Sequence, residues 1–237
     1  MSDKKPLAGR VALVAGASRG LGAAAAEALA KSGAEVLLVA RTQGALEEIH
    51  DRIGAAGGKA VIAPVDLLDG EAQDRLALGV AERYGRLDIL VQTAAILGQL
   101  SPIAHFTPEL LERIIASNLT AHWRLIRNFE ALLQQSTAGR AIVVTAGIAA
   151  KGQPFWGPYA ASKAALQTIG SSWAQEVAHT KLKINLIDPG VMRTALRAEA
   201  FPGEDPLGLN PPTSIAPKIV ELALPTNQLH GELIAAG

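Results

Sequence analysis

The strongest constraint on this chain is a regular alternation of short, β-branched apolar runs with longer segments of helical spacing. Residues 11–15, 35–40, 60–63, 89–92, 141–145, 183–188 and 232–235 read as seven strands. Between them, the 3.6-residue spacing predicts helices over 20–32, 44–56, 69–84, 108–135, 158–180 and 214–224. Gly33 and Gly85 fall where left-handed caps would close helices, and Thr107-Pro108-Glu109 supplies a hydroxyl cap, a first-turn proline and a dipole-matched carboxylate. Strands alternating with helices form a parallel sheet covered on both faces, and right-handed crossovers make it doubly wound. The expectation is an α/β fold in a single domain spanning 1–237, with ligands at the carboxyl ends of the strands.

Composition removes several function classes. Lys+Arg and Asp+Glu are 22 each, so no bulk positive field favours nucleic acid or an anionic membrane, and neither is expected as a partner. With no cysteine there is no disulfide, thiolate nucleophile or Cys-type metal site, which fits a cytoplasmic protein. The histidines at 50, 105, 122, 179 and 230 lack ligand spacing; they read as structural or surface residues, and no metal is expected. No apolar run approaches the roughly 18 to 20 residues of a spanning helix. Met1-Ser2-Asp3-Lys4-Lys5 and the apolar run behind it mimic a signal peptide, but Arg19 and the glycines interrupt that run, and a buried strand is the better reading.

After the first strand comes Gly16-Ala17-Ser18-Arg19-Gly20-Leu21-Gly22, opening a helix. Gly16 suits a tight turn, Gly20 a backbone that approaches a pyrophosphate, and Gly22 close packing, while the helix N-terminus offers free N–H groups. A glycine triplet alone is an ordinary turn; at the first crossover of such a series it points to dinucleotide binding in a Rossmann-type fold. The second strand ends at Arg41, where NAD-binding chains usually place a carboxylate for the ribose 2′-hydroxyl. A guanidinium there, with Arg19, suits a 2′-phosphate, so NADP(H) is preferred over NAD(H). The alternative is that both arginines are solvated surface charges.

Tyr159 and Lys163 lie one helical turn apart on one face. An ammonium beside a phenol lowers its pKa and fits it to exchange a proton with a carbonyl or alcohol oxygen, although this spacing also arises by chance. Together with the glycine loop, Asp66-Leu67, Asn118 and Asp188-Pro189-Gly190-Val191 through Thr194, these residues are similar in order and spacing to the short-chain dehydrogenase/reductase family. Trp156 to Lys163 and Arg193 to Pro206 resemble its bacterial YciK-like subgroup.

The resemblance implies that Asp66 and Leu67 lie near an adenine ring. It implies Tyr159 as general acid or base, Lys163 as its tuner and ribose ligand, and Asn118 as holder of a proton-relay water. Ala94 would contact the cofactor and the 189–194 stretch its nicotinamide, and helices 108–135 and 158–180 would pair subunits into a homodimer or homotetramer. Three departures accompany it. The family's catalytic serine falls thirteen residues before the tyrosine, at Ala146; Gln92-Thr93-Ala94-Ala95 replaces Asn-Asn-Ala-Gly; and Ala15 replaces a common threonine. Losing one transition-state donor costs roughly 3 kcal/mol, a hundredfold or more in rate. Thr145, one strand position away, is expected on the opposite face.

Ile96, Leu97, Phe155, Trp156 and Met192, with Ala146, are the expected pocket lining, an apolar mouth for a hydrophobic carbonyl or alcohol. Residues 195–212, rich in Gly, Pro and acid, are either a floppy loop or a substrate lid. Leu110, Leu111, Ile114, Ile115, Leu119, Trp123, Ile126, Phe129 and Leu133 make a stripe wider than one buried face requires, so either the helix is deeply buried or it packs on another subunit. The sequence thus predicts an NADP(H)-dependent oxidoreductase acting on a small-molecule substrate, of lowered activity; the alternative is an NADP(H)-binding sensor or scaffold without turnover.

Overall fold

A computed structural model describes residues 5–149 and 151–236, so the leader-like Met1 to Lys4 lies outside the described residues. Its first half runs β1 (Val11–Ala15), α1 (Gly20–Lys31), β2 (Glu35–Ala40), α2 (Gln43–Ala55), β3 (Lys59–Pro64), α3 (Gly70–Tyr84) and β4 (Ile89–Gln92). The second half runs α4 (Pro108–Ile115), α5 (Ala121–Gln135), β5 (Arg140–Val144), α6 (Gly157–Glu176), β6 (Lys183–Asp188), α7 (Ala195–Ala200), α8 (Ala216–Ala223) and β7 (Leu233–Ala235). The strands form one sheet, ordered β3-β2-β1-β4-β5-β6-β7, and every neighbouring pair is parallel. This is the expected Rossmann-type architecture.

Strand alternation divides the interior into two layers. Ala12, Val14, Val36, Leu38, Ile142 and Val144 pack with Leu29, Leu46 and Ile219 from α1, α2 and α8. Val11, Leu13, Leu37, Val39 and Ile184 pack with Val80, Phe129 and Trp173 from α3, α5 and α6. The strands carry so few polar residues because both faces are covered. Chain order reverses between β1 and β4, which opens a crevice at their carboxyl ends.

Two elements depart from the periodicity. The expected helix 108–135 is interrupted by a π turn, Ala116–Thr120, in which the Ala121 N–H bonds the Ala116 carbonyl five residues back. It carries Asn118 into the interior, fully buried. The 195–212 stretch is not irregular throughout, since it contains α7, capped by Thr194, whose hydroxyl accepts the Arg197 N–H at 3.2 Å. Gly33 takes φ +104 and Gly85 φ +68, while Thr107 accepts the Leu110 N–H. On α4 and α5, Ile114, Ile126, Phe129 and Leu133 are buried, whereas Leu111 and Trp123 remain exposed.

Away from the crevice, a buried polar cluster ties the strand starts together. Asp88 Oδ2 accepts the Val11 N–H at 2.9 Å, Asp88 Oδ1 accepts from Ser136 Oγ, and the Asp88 carbonyl accepts from Arg10 Nη2 at 3.1 Å. Burial holds the Arg10 guanidinium below its usual pKa, and the Asp88 charge works against that shift. Asp88→Ala keeps the backbone carbonyl but leaves the buried Val11 N–H and Ser136 hydroxyl without their acceptor and removes the charge that favours the Arg10 cation, so it is expected to lower unfolding stability by about 3 kcal/mol, read as a lower urea midpoint.

Candidate active site

The turn out of β1 admits no side chain where the half-sheets meet. Gly16 takes φ +90, and a Cβ there would lie 2.7 Å from both Ala94 N and Thr93 Oγ1. A Cβ on Gly22 would strike the Gly16 carbonyl. At Gly20 only Thr194 comes near, at 3.6 Å, leaving open space above the N-terminus of α1. That cradle is one end of a cavity of about 970 Å³.

Along the cavity lie Ser18, Arg19, Leu21, Arg41, Asp66, Leu67 and Ala94, then Tyr159, Lys163, Pro189, Gly190, Val191 and Thr194. Arg19 and Arg41 are exposed, and neither is in a salt bridge among the described residues. Asp66, past the end of β3, accepts the Leu68 N–H on Oδ1 at 3.0 Å, an Asx turn that orients the carboxylate. A nucleotide fits this arrangement: an open glycine cradle at a helix start, two unpaired guanidiniums at one end, a buried lysine at the other.

The candidate acid–base pair, Tyr159 and Lys163, sits at the start of α6. Tyr159 is 8% exposed, its ring set edge-on to Trp156 with centroids 5.9 Å apart. Burial, and then the charge of Asp188, push its phenol up to about 12. Lys163 Nζ donates to the Val144 carbonyl at 3.0 Å, and burial pushes the amine down to about 8. The expectation of a depressed phenol pKa is therefore corrected for the protein alone: desolvation outweighs the ammonium, whose hydrogen bond goes to backbone. In the protein alone the phenol is protonated at neutral pH and a weaker acid than a free tyrosine.

Other expectations are corrected by packing. Leu97 lies in a buried cluster with Trp156 and Tyr159 rather than on the cavity wall. Phe155 takes φ +72 and points away, 55% exposed. Ile96, Trp156, Met192 and Ala146 do line the cavity. Asn118 does not, though its neighbour Ser117 does. The Asn118 carboxamide accepts the Ile96 N–H and donates to the Ile96 carbonyl, both at 2.9 Å, and donates to Ser162 Oγ at 3.1 Å. With these partners it acts as a clamp between the β4 turn and α6 and has no side-chain group in the cavity to hold a relay water.

Thr145 lines the cavity, contrary to the strand-alternation argument, because the β5–β6 ladder ends at Val144. Its buried hydroxyl has no partner among the described residues. Of the histidines expected to be structural or surface residues, His122 is structural and fully buried. His122 Nε2 lies 2.7 Å from the Ala94 carbonyl and Nδ1 lies 3.2 Å from Gln92 Oε1, so it braces the turn where the family's asparagines are absent. Burial, then Lys163, push its pKa down to about 3, so it stays neutral. Its spacing of four from Asn118, inside one helix, was the available signal.

The 195–212 segment closes one wall through Leu196, Arg197, Ala200 and Phe201. Arg197 grips Glu204 through Nε and Nη2, both at 2.6 Å, and lies 3.8 Å over the Phe201 ring. Phe201 in turn packs on Trp156, with centroids 5.9 Å apart.

A family model for short chain dehydrogenases matches residues 10–205. The chain belongs to the short-chain dehydrogenase family. Within this oxidoreductase family it is 34% identical over 211 residues to the oxidoreductase YciK of Escherichia coli (strain K12), covering 88% of this chain and 83% of that one. A short chain dehydrogenase structure from Pseudomonas syringae superposes with a TM-score of 0.95 at 34% identity, covering 100% of this chain and 98% of that one. One from Shigella flexneri 2a, complexed with NADP, gives 0.92 at 32% identity and covers 99% of both chains. None of the described helices is long and apolar enough to cross a membrane.

The chain has two tyrosines. Tyr84, which donates to Glu35 Oε1, is also pushed up to about 12, burial first and the Glu35 hydrogen bond second. Spectrophotometric titration of the folded protein is expected to show almost no phenolate at pH 10, where a free phenol is half ionised. Half-ionisation of either residue at pH 10 would contradict this.

Proposed function

We propose that this short-chain dehydrogenase moves hydride between NADP(H) and the carbon of a hydrophobic carbonyl or alcohol, with Tyr159 exchanging the proton at the oxygen. The observation that carries the reading is the buried Tyr159–Lys163 turn in the same cavity as the glycine cradle and two unpaired arginines. The bound nicotinamide supplies or accepts the hydride. In the reducing direction the phenol of Tyr159 donates its proton to the carbonyl oxygen, and the dry wall of Trp156, Ile96 and Met192 excludes water. Lys163 holds positive charge close to the phenolate left behind and is placed to bind ribose. Asn118 contributes by fixing the β4 turn against α6. The 195–212 segment serves as the lid.

Arg41, with Arg19, grips the 2′-phosphate, giving the preference for NADP(H). Replacing Arg41 with alanine is expected to weaken NADPH binding tenfold or more, the size of one charge-assisted hydrogen bond, while NADH binding changes little. Equal effects on both cofactors would refute the assignment. Exposed Leu111 and Trp123 on α4 and α5 support pairing of subunits through these helices and α6, as homodimer or homotetramer.

Ala146 sets the rate. With a methyl where the family's serine donates to the substrate oxygen, turnover is expected to be low, and Ala146→Ser should raise kcat/KM for simple ketones by about a hundredfold. Tyr159→Phe should abolish turnover in both backgrounds while NADPH still binds. The competing reading, an NADP(H) binder without turnover, draws on Ala146 and on the methyl of Ala95 in the cavity wall. It prevails if both the parent and Ala146→Ser bind NADPH and neither oxidises it with any carbonyl.

A further inference from the structure

Beyond raising the Tyr159 pKa, Asp188 has no role in that chemistry, yet it lines the same cavity as Tyr159 and Ala146. It ends β6 beside the end of β5, since Val144 is registered on Ile187 and the Thr145 N–H bonds the Ile187 carbonyl. Its Oδ1 accepts the Gly190 N–H at 3.0 Å. Oδ2 receives no donor among the described residues, and Asp188 lines the cavity. A Cβ at residue 147 would lie 2.5 Å from Oδ2. Gly147 is not among the residues with positive φ, so what its missing Cβ provides is room for this carboxylate, which would have to turn aside for any larger residue. Gly147, next to Ala146 in sequence, thus makes room for a carboxylate in the cavity wall.

A carboxylate in this wall has chemistry opposite to that of the family's serine. A serine hydroxyl gives a hydrogen bond to the substrate oxygen; an ionised carboxylate can only accept one. A plain ketone has nothing to offer Oδ2 and would leave that charge desolvated beneath it. A compound with a hydroxyl or amino group on the neighbouring carbon satisfies both the acid Tyr159 and the acceptor Asp188.

We propose that Asp188 is the specificity-determining residue of this pocket, and that the site takes carbonyl or alcohol compounds bearing a hydroxyl or amino donor next to the reacting carbon. The proposal rests on the carbonyl-reducing reading and deepens it. The full chain with NADPH is given the matched pair acetophenone and α-hydroxyacetophenone. Two quantities are measured: kcat/KM, and dissociation constants from the NADPH complex by tryptophan fluorescence, for which Trp156 in the cavity wall is the reporter.

The parent is expected to favour the hydroxylated ketone by about tenfold to a hundredfold, the value of a hydrogen bond to a charged group. Asp188→Ala should erase that preference. Asp188→Asn, which keeps the shape and the Gly190 contact but offers an amide donor, should shift it toward acetophenone. No preference in the parent overturns the proposal, as does a preference retained in Asp188→Ala. A change confined to NADPH affinity also overturns it, by assigning the carboxylate to the cofactor's own carboxamide. If neither ketone is turned over, the reductase reading fails by itself, and the fluorescence preference still decides the role of Asp188.

Discussion

The site depends on how closely two turns approach at the reversal of the sheet. Gly16 leaves β1 with its backbone against Ala94, and Thr93 Oγ1 donates to the Ala15 carbonyl at 2.8 Å. No side chain fits between them. Because the turns touch, the N-terminus of α1 opens over the crevice, and the β4 turn becomes a fixed floor. His122 and Asn118 brace that floor from the helix behind it. The π turn makes the second brace possible by carrying Asn118 inward. The glycine cradle, Tyr159 with Lys163, and the apolar wall all line the same cavity, which opens beside this contact.

Electrostatics within the site follow from burial before they follow from pairing. Tyr159 and Lys163 are both taken out of water, and each moves toward its neutral form, the phenol up and the amine down. Asp188 adds to the first shift. In this environment the phenol is held neutral while the amine, at about 8, still carries its proton at neutral pH, and the cost of ionising the phenol is what a bound, charged partner would have to offset.

The fold was legible because strand and helix periods alternate cleanly: β1, β2, β4 and β6 begin and end where the apolar runs do. The glycine loop was equally plain, since its residue types answer to sterics within one turn. What failed were statements about direction. Leu97 and Phe155 flank Ile96 and Trp156 in sequence, but loop backbone turns the first into the interior and, at positive φ, the second outward. Thr145 escaped because the alternation rule stops with the ladder at Val144. The π turn and α7 were missed for related reasons: one added residue in a helix leaves no mark on a wide apolar stripe, and a six-residue helix among prolines gives too short a period to count. The side chain of Asn118 illustrates the limit, since its identity was readable and its partners were not.

The stack that runs from Glu204 through Arg197 and Phe201 to Trp156 and Tyr159 ties the acid's strength to the position of the 195–212 segment. Burial is the first cause of the raised phenol pKa, and this segment supplies part of the cover. Were α7 to swing away, water would reach the phenol, and its pKa would fall toward that of a free tyrosine. The protein would then hold its proton tightly when shut and loosely when open. Solvent access and phenol acidity therefore vary together.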